Sequence, residues 1–208
     1  MPYQRVELSF PKYSREGIRF LTFMSSALGG RGNATIFVPP GHEKTRDLPL
    51  ILLLHGVFAS HWSWAFMGGA HIAALDLLDR GLIEPMGIVM PSDGFVGEGS
   101  GYVRHPERDA EAWIVEDVLG CVRDNLACFS ENSPTFISGF SMGGFGALRL
   151  GGKYPHLFHG ISAHASITHF EQHKIFFGES YQIPKSLDEG DMSALYWLEE
   201  NREKLPPL

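Results

Sequence analysis

No stretch of this chain is apolar for long enough to span a bilayer, and its first ten residues, MPYQRVELSF, lack the apolar core of a signal peptide. These absences make a soluble, cytoplasmic protein the expectation, with no membrane partner. Cysteine is scarce. Cys121 and Cys128 fall in one predicted helix, seven residues apart, which separates their α-carbons by about 10 Å, beyond disulfide reach. Basic stripes are absent too, and a net charge of -7 argues against a nucleic-acid partner. Histidine is plentiful at 10 residues, but its spacing matches no HExxH or similar ligand pattern, so no metal site is expected.

What is abundant is glycine, at 24 of 208 residues, a share that suits a fold with many tight turns. The spacing of apolar residues predicts strands over 5–10, 18–25 and 33–38, with Gly29, Gly30 and Gly32 marking a hairpin-like reversal. A continuously apolar run at 50–54 predicts a strand covered on both faces, and 86–90 a second. Helices are predicted over 64–80, 110–129, 142–154 and 192–204, with a further strand over 159–165. Between them lies a long glycine-rich loop, PSDGFVGEGSGYVRHPERD, of the kind that commonly carries function. Strands alternating with helices in this way indicate a single α/β domain over 1–208, its sheet largely parallel and led by antiparallel N-terminal strands.

The chain is organised around TFISGFSMGGFGALRL at 135–150, where an apolar run ends at Gly139-Phe140-Ser141-Met142-Gly143, a match to GxSxG. A strand that turns at once into a helix forces the serine into a strained backbone and brings strand and helix too close for side chains at the glycines. The helix N-terminus then points unpaired N–H groups at the serine, where negative charge would be stabilised.

With this serine turn placed after such a strand, the chain resembles the α/β-hydrolases, and among them the esterases related to esterase D, S-formylglutathione hydrolase and the bacterial mycolyltransferases. LLLHGVFASHWSW at 52–64, PSDG at 91–94, GFSMGGFGAL at 139–148 and KYPHLF at 153–158 carry the resemblance. It implies a serine esterase acting through an acyl-enzyme on Ser141, needing no cofactor, on a small-molecule ester. The oxyanion hole would be formed by the N–H of Met142, the residue after the nucleophile, and of Val57, the residue after the His-Gly pair. Phe58, Trp64 and Tyr102 are candidate substrate-binding residues. His55 precedes the serine, whereas the family order is serine, acid, histidine, so it is read as orienting the oxyanion loop.

The rest of that order finds no match. After Ser141 come His156, His159, His164, His169 and His173, and the acids Glu179, Asp188, Glu189 and Asp191 have no histidine after them. Glu171 precedes His173 by two residues, too few to place an acid and a base on loops after successive strands. NREKLPPL stands where the resemblance leads one to expect further strands. The expectation is a fold lacking its C-terminal strands, with 159–165 as an open apolar edge able to pair with a second copy. The alternative is a non-catalytic binding or interaction protein of the same fold.

Overall fold

Residues 2–94 and 98–208 are described by a computed structural model; Phe95, Val96 and Gly97 of the long loop, and Met1, lie outside the described residues. Seven strands, β1 (Tyr3–Leu8), β2 (Ile18–Ser25), β3 (Gly30–Phe37), β4 (Leu50–Leu54), β5 (Gly87–Pro91), β6 (Thr135–Phe140) and β7 (Gly160–His164), form one sheet in the order β1-β2-β3-β5-β4-β6-β7. The first three are antiparallel and β3 meets β5 antiparallel, while β5, β4, β6 and β7 run parallel. Parallel neighbours need helical crossovers. Between β4 and β5 lie α1 (Ser63–Phe66) and α2 (Ala70–Asp79). Between β5 and β6, α3 (Ala110–Ala112) and α4 (Leu119–Asn125) are joined by a π-helical stretch, Trp113–Val118. Then α5 (Met142–Lys153) links β6 to β7, and α6 (Lys174–Phe177), α7 (Glu189–Met192) and α8 (Ala194–Glu200) follow.

The apolar run of β4 has the consequence its composition dictates. Side chains alternate across a sheet, so Leu50, Leu52 and Leu54 enter one core with Trp113, Val118 and Leu150, while Leu53 enters another with Phe37, Ala74 and Ile88. Both faces of the sheet are therefore covered, and β4 and β6 are adjacent interior strands whose C-terminal ends can present a site.

Several elements differ from the sequence expectation. β3 begins at Gly30, because Gly32 is a strand residue whose missing side chain makes room for Trp113: a Cβ there would lie 2.2 Å from the indole. The helix expected over 64–80 breaks at Gly68 and Gly69, the latter left-handed at φ 65°. In the helix expected over 110–129 the wider π turns seat Asp117, whose carboxylate accepts from Ser25 Oγ, and Trp113, whose Nε1 donates to Ser92 O at 2.7 Å. That helix ends at Asn125, so Cys128 is not helical; both cysteines are buried and free. The last helix is two, separated by the extended Ser193, which bridges to His169. The edge strand β7 is not apolar on both faces. Ile161 is buried but Ser162 and His164 are exposed, and the Ile161 N–H donates outward to Pro207 O at 2.9 Å.

Candidate active site

At the C-terminal end of β6 the chain reverses into α5 through Ser141, which has φ 56° and ψ -116°. A non-glycine residue holds such a conformation only where its surroundings over-determine it. Here they do. A Cβ on Gly139 would lie 2.1 Å from Gly143 O, and one on Gly143 would lie 2.3 Å from Leu54 O and 2.6 Å from His55 O. Strand, helix and the end of β4 are thus in backbone contact. The Ser141 N–H donates across to His164 O on β7 at 2.9 Å, and Phe145 N–H closes the first turn of α5 onto Ser141 O at 3.1 Å.

Gly56 brings the segment after β4 against this turn. A Cβ at Gly56 would stand 3.4 Å from Ser141 Cβ and from Phe140 O, so the segment leading into Val57 passes against the serine turn, and Met142 opens α5 directly after it. The loop after β5 lies over both: a Cβ on Gly99 would be 2.6 Å from Met142 Sδ and 3.6 Å from Val57 Cγ1. The structure therefore brings Ser141, Val57 and Met142 together.

Beside them opens a cavity of about 480 Å³, lined by Val57, Phe58, Ser63, Trp64, Met67 and Phe140 among others. None of its described lining residues is Asp, Glu, Lys or Arg. Phe58 and Trp64 are among the residues that line it. Trp64 is anchored by its Nε1 donating to Leu54 O at 2.9 Å, and Phe58, left-handed at φ 61°, packs edge-on against Phe177 at 5.3 Å. Tyr102 is not a wall residue. It has no exposed surface, sits under Gly146 of α5, and donates its hydroxyl to His55 O at 3.0 Å. An aromatic in a glycine-rich loop reads as a pocket wall, but this one is the loop's buried anchor. Burial pushes its phenol well above the ordinary tyrosine value. Met67 and Phe140 were missed as wall residues. Phe140 is 48 % exposed, and its place beside the serine in the motif was the signal available.

Among the described residues no histidine nitrogen is hydrogen-bonded to Ser141 Oγ. His55 is occupied elsewhere, with Nδ1 at 2.8 Å from Gly56 O and Nε2 accepting from Asp93 N–H at 3.2 Å. His159 lies at the opposite end of β6, where Nδ1 accepts from Thr135 N–H. His169 caps the short helix that follows β7. His164 is exposed at the end of β7, its Nε2 3.4 Å from Ser162 Oγ. His173 is buried among Phe145, Phe170, Phe177 and Tyr181, with Nδ1 on Phe170 O at 2.7 Å, and burial lowers its pKa.

A sheet of this order, with antiparallel leading strands, four parallel strands and the serine turn at the end of β6, is that of the α/β-hydrolases. The family described as "Putative esterase" matches residues 25–204, and the chain belongs to it. It is 28 % identical over 151 residues to an esterase of Mycobacterium tuberculosis, covering 70 % of this chain and 31 % of that protein. To an acetyl esterase of Caldicellulosiruptor saccharolyticus it is 31 % identical over 124 residues, covering 59 % and 42 %. The chain thus spans less than half the length of these curated relatives. Among solved structures, an S-formylglutathione hydrolase from Agrobacterium tumefaciens superimposes with a TM-score of 0.70 at 18 % identity, over 96 % of this chain and 75 % of that one. A ferulic acid esterase does so with a TM-score of 0.66 at 20 % identity, over 95 % and 70 %.

Proposed function

We propose that the chain is a serine carboxylic-ester hydrolase in which Ser141 is the nucleophile. The observation that carries this is the strained Ser141 backbone, held at φ 56° between β6 and α5 with Gly56 pressed against it. Strain of this kind persists where a side chain must be displayed at a fixed point. Ser141 Oγ attacks the ester carbonyl, its proton leaves to a base, and the C=O electrons collect on the carbonyl oxygen. Val57 N–H and Met142 N–H would receive that charge, the latter as one of the first amides of α5, which have no partner within the helix. Collapse expels the alcohol, and water then hydrolyses the acyl-enzyme. Membership of an esterase family supports the reaction class, and the uncharged walls of Val57, Phe58, Trp64, Met67 and Phe140 favour an uncharged small-molecule ester.

A second reading, a non-catalytic α/β-hydrolase-like binding protein, draws support from the histidines: none of the described ones reaches Ser141 Oγ. Turnover of p-nitrophenyl acetate by the purified chain and by Ser141→Ala separates the two. Hydrolysis lost in the variant upholds the esterase; hydrolysis equal in both removes Ser141 from the chemistry and leaves binding as the function.

A further inference from the structure

Four buried polar residues beside the site take no part in the reaction just described, yet they bond to one another in a closed ring. His55 directly follows β4, and Asp93, Ser100 and Tyr102 lie on the loop after β5; their exposures are 3 %, 4 %, 0 % and 0 %. Asp93 N–H donates to His55 Nε2 at 3.2 Å. The Asp93 carboxylate accepts from Ser100 N–H at 2.7 Å, Ser100 Oγ accepts from Tyr102 N–H at 3.0 Å, and Tyr102 O–H donates to His55 O at 3.0 Å.

The ring decides a proton position. Because His55 Nε2 accepts a backbone N–H, it carries no hydrogen, so the proton of the neutral imidazole is on Nδ1 and is donated to Gly56 O, 2.8 Å away. Burial, which outweighs the pull of the Asp93 carboxylate, lowers the His55 pKa and keeps the ring neutral. Two successive carbonyls are then held, His55 O by Tyr102 and Gly56 O by the imidazole. In a trans peptide N–H and C=O point in opposite directions, so fixing the Gly56 carbonyl also fixes the Val57 N–H. Gly99, between Asp93 and Tyr102, lies close to Met142 and Val57, with too little room for a side chain beside Met142 Sδ.

We infer that His55, Asp93, Ser100 and Tyr102 are positioning residues whose joint task is to aim the Val57 N–H at the developing oxyanion. This rests on the reading of Val57 as an oxyanion donor. It predicts effects on kcat, since the amide meets its charge only in the transition state, and little effect on substrate binding.

The test uses Tyr102→Phe and Asp93→Ala to open the ring, Asp93→Asn to keep an acceptor for Ser100 N–H, and Ser141→Ala as the control. With rates normalised to the folded fraction, opening the ring is expected to lower kcat for p-nitrophenyl acetate by about 10- to 100-fold, the usual cost of slight misplacement, with KM nearly unchanged. Asp93→Asn is expected to stay close to the parent. Parental kcat in Tyr102→Phe, with Ser141→Ala inactive, overturns the positioning role and leaves the esterase reading standing. Turnover that survives Ser141→Ala overturns the esterase reading instead. A second measurement is independent of turnover: in ¹⁵N spectra the parent His55 should be the Nδ1–H tautomer, and Tyr102→Phe should move the Gly56 and Val57 amides more than those of Leu148–Gly152 in α5. An Nε2–H tautomer, or unmoved Gly56 and Val57 amides, overturns the inference.

Discussion

Arg149, eight residues beyond Ser141 on α5, is wholly buried, and its replacement by Met tests what holds α5 in place. Its Nη2 pairs with Glu111 Oε2 at 2.5 Å and with Asp191, its Nε donates to Gly190 O at 3.0 Å, and its Nη1 reaches Tyr102 O at 3.4 Å. One guanidinium thus ties α5 to α3, to α7 and to the loop that carries Tyr102. Methionine keeps much of the stem volume and removes the charge. Deleting one partner of a buried ion pair costs about 3–5 kcal/mol, because the other is left uncompensated. Two features place this case near the lower end. Glu111 keeps Lys153, at 2.7 Å, and the Tyr154 hydroxyl, and the Asp191 side chain is 15 % exposed. We expect a loss of about 3 kcal/mol, which at a urea slope of about 2 kcal/mol/M lowers the midpoint by about 1.5 M. Equilibrium unfolding followed by circular dichroism reads it. Adding Glu111→Gln and Asp191→Asn should restore a substantial part, since the stranded charges are then gone. Burial pushes the Glu111 pKa up, but Arg149, Lys153 and Tyr154 together hold it below its ordinary 4.5. Its contribution is therefore complete above that value and lost as pH falls through the lower folded value, so the gap between variant and parent should narrow below pH 4.5. A loss under about 1 kcal/mol at pH 7, within the range of an exposed pair, would refute the buried-network reasoning.

Other expectations follow from the same geometry. Gly143→Ala forces a methyl to 2.3 Å from Leu54 O, which cannot withdraw without breaking β4, so a loss of about 2 kcal/mol or more is expected in the same unfolding assay, and parental stability would contradict the packing. Burial raises the Cys121 thiol to about 12 and the Cys128 thiol to about 11, and both are shielded, so the native chain at pH 8 should resist Ellman's reagent until denatured. Burial lowers the pKa of His55 below 6.5, so below that pH the unfolded chain binds more protons and stability should fall as pH drops, by at most about 1.4 kcal/mol per pH unit from this group; a flat profile between pH 7 and 5 would contradict it. Pairing of two copies through the outer edge of β7 would give a mass that rises with concentration in light scattering, and a concentration-independent monomer would exclude it.

The parts of the fold legible in the sequence are those set by local constraint. β2 and β4 fall at their expected residues because alternation and a continuous apolar run leave no competing assignment. The turn at Ser141 is legible because the GxSxG pattern is contiguous and Gly139 is required by a contact only four residues away, with Gly143 O. What escaped depends on distant partners. Gly32 reads as a turn residue until Trp113, far along the chain, is seen to occupy its space. Tyr102 reads as a pocket wall because nothing nearby shows that His55 O awaits its hydroxyl. The His55–Asp93 bond joins residues 38 apart, with no spacing rule to announce it. Phe140 stood inside the motif but was read only for the turn.

The most direct measurement is the intact mass of the native protein after incubation with a fluorophosphonate probe, beside the same experiment on Ser141→Ala. One covalent adduct, mapped to Ser141 and absent from the variant, is the expected result. An unmodified protein, or an adduct that persists in Ser141→Ala, would contradict a nucleophilic Ser141.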